Sequence, residues 1–180
     1  MGIDIYAAWE RQNAAEKKSQ YTGFDITAGK YGYLREAYHG EPYVTHYLVS
    51  EAFNAKYDDG ARIPATTLRE RLPIAVLLAM FRQARVYERG KKDPMIVGDI
   101  ENKDISEKLM GAVMASLNSL KEDTSDVMAR QFDERSIAHA EEMIKGGILP
   151  DYAQSFVDFV VLCEEKEKET GAPCIIRASY

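Results

Sequence analysis

Seven of the eleven tyrosines fall between Tyr21 and Tyr57, and across residues 31 to 47, YGYLREAYHGEPYVTHY, they alternate with arginine, histidine and glutamate. Those residue types could do chemistry together. Phenols donate hydrogen bonds, a guanidinium grips a carboxylate or phosphate in bidentate fashion, and an imidazole exchanges a proton near neutral pH. The candidate binding residues are Tyr33, Arg35, Glu36, Tyr38, His39, Glu41 and His46. As a hydrolase or lyase, the tract would hold a small anionic substrate on Arg35 and use His39 as general base. Glu36 or Glu41 would orient that imidazole, and Tyr33 or Tyr38 would donate to developing negative charge. As an interface, the same tyrosines would bury their rings in the core or against a second copy, with their hydroxyls at the edge. Aromatic excess without catalytic spacing favours the second reading, a non-catalytic binding or interaction protein that is homo-oligomeric. The small-molecule enzyme is the alternative.

Metal and cofactor motifs add nothing to the tract. His39, Glu41, His46 and Glu51 are capable ligands at an uninformative spacing. His39-Gly40-Glu41 matches the H-x-E of zinc deaminases, but PYVTH follows where P-C-x-x-C is needed. His139 in HAEEM lacks the second histidine of a zincin, and is expected to be exposed or satisfied on its helix. The nucleophile elbow, the phosphate loop and the dinucleotide fingerprint are missing. DIENKDISE at 99 to 107 has calcium-like acidity without the loop glycine, so it is read as a helix lead-in. Cys163 and Cys174 fit neither a disulfide framework nor a zinc spacing and are expected to be reduced, Cys163 inert on an apolar helix face. No cofactor and no metal are expected.

The elements that would position the tract follow from periodicity. Ile3, Ile5, Ala7 and Trp9 alternate against Asp4, Tyr6 and Ala8, which predicts a half-buried strand; CIIRASY at 174 to 180 predicts its partner at the other end. Residues 11 to 19 suit a short surface helix, and residues 24 to 40 suit either short strands or an ordered loop. A short helix is expected at 43 to 53 and a turn at DDGA, 58 to 61. Thr66 or Thr67 would cap LRERL, and Pro73 would then open a new, largely buried helix carrying Leu77, Met80, Phe81 and Ala84. Further helices are expected over Leu109 to Leu120, capped by Asp104 or Ser106, over about 126 to 145 ending at Gly146 and Gly147, and after Pro150. The last of these presents Tyr152, Phe156, Phe159, Val160 and Cys163 on one face, and its tail EEKEKE is read as a solvated extension with Glu164 beside Lys168. Methionines are read as core filling and Arg69, Arg71, Arg82, Arg85 and Arg89 as solvated or ion-paired. The expected fold is α+β, a small sheet including both terminal strands packed against a layer of four to five helices.

Composition sets the outer limits. With 180 residues, 46% of them hydrophobic and 29% charged, one domain over 1–180 with a full core is expected. The longest apolar run, PIAVLLAMF at 73 to 81, is far short of the ~20 residues that cross a bilayer, so no membrane role is expected. MGIDIYAAWE lacks the features of a secretion signal, and Tyr6 stands where a myristoylation signal needs Ser or Thr, which makes the cytoplasm the expected compartment. Residues 1 to 90 carry 12 basic and 11 acidic side chains, a balance of +1, and residues 91 to 180 carry 11 and 18, a balance of −7. That acidic second half argues against nucleic acid as a partner.

The MGIDIYA start, GYLREAYHGEPY at 32 to 43, LRERLP at 68 to 73, and SFVDFV with KETG between 155 and 171 resemble an uncharacterised bacterial protein family. The resemblance spans essentially the whole chain. It implies a bacterial cytoplasmic origin and no activity, and it transfers no functional residue.

Overall fold

In the computed structural model, which describes residues 2–22, 29–37, 42–90 and 124–180, the alternating start of the sequence forms strand β1, Gly2–Ala8. Ile3, Ile5 and Ala7 are buried on one face, and Asp4 and Tyr6 lie half-buried on the other. Helix α1, Ala14–Thr22, follows, opened by a reciprocal pair in which the Glu16 amide donates to Asn13 Oδ1 and the Asn13 amide to Glu16 Oε2. A 3-10 turn, Gly29–Tyr31, leads into strand β2, Tyr33–Ala37, so part of the ambiguous stretch is strand. Two one-turn helices come next, α2 (Val44–Leu48) and α3 (Ser50–Asn54), broken at Val49. Strand β3 (Ala61–Arg62) precedes the long helix α4 (Ala65–Gly90). After it come α5 (Thr124–Ala129), α6 (Glu134–Gly146), α7 (Asp151–Thr170) and strand β4 (Ile175–Ser179).

The sheet is antiparallel with order β2-β1-β4-β3, so the strands near the two ends of the chain pair directly, Ile5 opposite Ala178 and Ala7 opposite Ile176. The fold is α+β, with seven α-helices among the described residues. Two of them, α2 and α3, are single turns. α4 packs on α7, α6 and α2, and its buried residues Leu68, Leu72, Ala75, Val76, Leu77, Leu78 and Phe81 reach around most of the helix, which marks it as the centre of the core. From α7, Phe156, Phe159, Val160 and Cys163 join the same cluster, as expected from their spacing, and Met80 and Met128 fill the core. Among the described residues no helix is long and apolar enough to cross a membrane.

Four sequence expectations are corrected. Pro73 does not open a helix; α4 runs through it. Interior proline costs about 3 kcal/mol, and here fully buried Leu72, Ala75 and Val76 on either side hold the helix through it. Thr66 and Thr67 accordingly lie inside α4, and its first amide, Ala65 N, donates instead to Glu167 Oε2 on α7 at 2.6 Å. The helix expected at 126 to 145 is two, because Asp133 accepts from the Ser136 amide at 2.8 Å and starts α6 afresh. The tail EEKEKE is solvated on one side only, at Glu165, Lys168 and Glu169: α7 lies along α4, so Glu164 takes Arg69 rather than Lys168 in a two-bond pair and Glu167 caps α4, while Lys166 bonds Glu16 and Glu169. The expected helix around Leu109 to Leu120, with its caps Asp104 and Ser106, lies outside the described residues.

The cap has a measurable consequence. Glu167→Ala strands the Ala65 amide and is expected to cost about 1 kcal/mol, a melting point lower by about 2–4 °C. Thermal unfolding followed by circular dichroism checks it, with exposed Glu165→Ala, expected to leave the midpoint unchanged, as control.

Candidate functional site

The period-2 geometry of β2 divides the candidate residues between two faces of the sheet. Leu34 stands opposite Ile5 and Glu36 opposite Ile3, on the buried face, whereas Tyr33 stands opposite Tyr6 and Arg35 opposite Asp4, on the other. Arg35 and Glu36 therefore point away from each other.

Glu36 is a carboxylate set into a hydrophobic face, 3% exposed, which is tolerable when its oxygens are bonded. Pro42 and Tyr43 lead into α2, whose N-cap residue Tyr43 makes no side-chain cap bond. The Glu36 side chain supplies the missing acceptor. Its Oε1 accepts from the Val44 amide at 2.8 Å and from Arg82 Nη1 at 2.6 Å; its Oε2 accepts from the Thr45 amide at 3.0 Å and the Thr45 hydroxyl at 2.7 Å. Four donors use up the roughly four lone-pair sites of a carboxylate, so Glu36 has none to offer a substrate proton. The Arg82 guanidinium also lies over the Tyr43 ring, 5.1 Å from its centroid. One carboxylate thus pins β2, α2 and α4 together.

On the opposite face the Tyr33 hydroxyl donates to Asp4 Oδ1 at 2.6 Å, and Arg35 Nε lies 3.7 Å from the same oxygen. The rings of Tyr6 and Tyr33 are 5.2 Å apart. Burial first, and then the bond to Asp4, push the Tyr33 phenol well above its ordinary range, so it keeps its proton at neutral pH.

His46, on α2, belongs to neither group. Its ring lies 5.4 Å from Tyr43 and 4.2 Å from Phe53, and Phe53 in turn lies 5.6 Å from Tyr180. The result is a row of four rings leading from half-buried Tyr43 to Tyr180, which is 75% exposed. Glu51, a possible ligand from the sequence, is held by Arg71 through two bonds of 2.7 Å, and that hydrogen bonding keeps its carboxyl below the ordinary range. Among the described residues no three His, Cys, Asp or Glu side chains gather as a metal-binding group. Tyr38, His39 and Glu41 lie outside the described residues. His139 is exposed on α6.

Sequence reasoning missed Asp4, Thr45 and the specific pairing of Arg82. Asp4 carried a signal: it sits on the polar side of the β1 alternation, where a cross-strand cation is a natural partner. For Thr45 and Arg82 the partner is 9 and 46 residues away, and spacing alone gives no sign of it. Compared with known proteins, the chain matches no family model, no curated sequence and no solved structure.

Proposed function

We propose that this is a non-catalytic interaction protein of the bacterial cytoplasm that self-associates, with the tyrosine-rich tract and the adjoining α2 and α3 forming part of the interface between copies. The observation that carries the reading is the ring row Tyr43, His46, Phe53 and Tyr180, ending in a large exposed aromatic. Aromatic side chains are enriched where protein surfaces meet, because they bring large area at small cost in conformational entropy. Further support comes from the polar groups of the tract: Glu36 is saturated by its own fold, and Tyr33 and Arg35 both engage Asp4.

Light scattering on the purified chain and on Phe53→Ser with Tyr180→Ser tests the reading. The unaltered protein is expected at twice the chain mass. The double variant is expected to shift toward a single chain by tenfold or more in dissociation constant, the scale of a lost aromatic anchor. An unaltered oligomer in the folded double variant would rule out this surface.

A further inference from the structure

Cys163 lies on the buried face of α7 and Cys174 immediately precedes β4; each is 1% exposed, both are free thiols, and both belong to the one core cluster. Eleven positions apart in sequence, they are brought level by the turn between them. α7 continues seven residues past Cys163, about 10 Å at 1.5 Å per residue. It ends at Gly171, whose φ of 74° reverses the chain and whose amide donates to the Glu167 carbonyl at 2.8 Å. Three residues at roughly 3.3 Å each cover the same height on the way back. The neighbouring Cys174 side chain, together with burial, holds the Cys163 thiol well above its usual range.

We propose that Cys163 and Cys174 form a reversible intramolecular disulfide that ties α7 to the start of β4, with hydrogen peroxide or another small hydroperoxide as the oxidant. The Cys174 sulfur attacks a peroxide oxygen; the O–O bond breaks, water departs with the thiol proton, and a sulfenic acid remains. The Cys163 sulfur then attacks the Cys174 sulfur, an S–S bond forms as the S–O bond breaks, and a second water carries off the Cys163 proton. The thiols lose two electrons and the peroxide gains them. Cys174 is the sulfur that meets the oxidant, because its neighbour is the two-residue edge strand β3, where the Ile63 amide reaches the Cys174 carbonyl only at 3.4 Å. Short edge pairings of this kind open locally at low cost.

The test treats the full chain with hydrogen peroxide under native conditions and measures its intact mass. The expected product is lighter by two hydrogens, presents no thiol to alkylation after denaturation, and regains both with dithiothreitol. Tryptic mapping should join residues 146–166 to residues 169–177. Cys174→Ser should abolish that joined species. Should this variant not fold, the mapping of the unaltered protein decides alone. Two alkylatable thiols after exposure, oxygen added separately to each sulfur, or a disulfide between two chains would overturn the proposal.

Discussion

Glu36→Ala is expected to lower the melting temperature by about 6–20 °C, corresponding to about 3–5 kcal/mol in a chain of this size. The size of the effect comes from what the substitution leaves behind. The Arg82 guanidinium, whose side chain is 13% exposed, loses its 2.6 Å bond to Glu36 Oε1, and the Val44 and Thr45 amides and the Thr45 hydroxyl lose their acceptor inside the fold. Removing a buried acceptor leaves its donors unsatisfied inside the fold, which costs more than the intact bonds contribute. Glu36→Gln keeps the shape but turns one oxygen into a donor that faces donors, so it should fall between alanine and the native residue. Arg82→Met should destabilise too, and the double variant Glu36→Ala with Arg82→Met should cost less than the two singles added, because both singles remove the same Glu36–Arg82 bond. A melting point for Glu36→Ala within about 2 °C of the native protein, the mark of a surface substitution, would mean that the carboxylate is no structural anchor.

Gly29→Ala is the second large effect, about 3 kcal/mol or more, and its cause is steric. A Cβ at position 29 would stand 1.9 Å from the Ser155 carbonyl oxygen, 2.8 Å from its carbon and 3.0 Å from the Phe159 nitrogen. All three are backbone atoms of α7, so no side-chain rotation relieves the clash. The 3-10 turn would have to lift from α7 and carry the start of β2 with it, disturbing the strand that presents Tyr33, Arg35 and Glu36. Gly146→Ala is the matched control: the nearest atom to its new Cβ is 3.6 Å away on Ile148, and alanine is the better helix former, so stability should hold or rise slightly. Chemical denaturation of the two variants side by side separates a steric clash from a general cost of losing glycine.

The parts of this fold that are legible in the sequence are those set by local period. Ile3, Ile5 and Ala7 announce β1, Phe156, Phe159, Val160 and Cys163 announce α7, and the glycine pair at 146 and 147 announces the end of α6. Where a distant group overrides a local signal, the sequence misleads. Pro73 is a helix opener by local rules, yet the buried residues around it carry α4 through. EEKEKE looks like a solvated run, yet Glu164 and Glu167 share the face that α4 covers. The candidate tract shows both behaviours. That Glu36 shares a face with Leu34 follows from the period of two, so a carboxylate on the buried side of the sheet was within reach. Its employment as the missing cap of α2 was not, because the Val44 and Thr45 amides become needy donors only once that helix has formed. The same period separates Arg35 from Glu36, two residues that proximity in sequence groups together.

Glu36 holds β2 to α2 and α4, and the proposed self-association places the ring row Tyr43, His46, Phe53 and Tyr180 between copies. Sedimentation equilibrium across a hundredfold range of protein concentration tests this most directly. The account predicts a species of twice the chain mass that dissociates on dilution. A single-chain mass throughout, with a small anion such as phosphate raising the melting point, would contradict it and return the tract to the binding of small molecules.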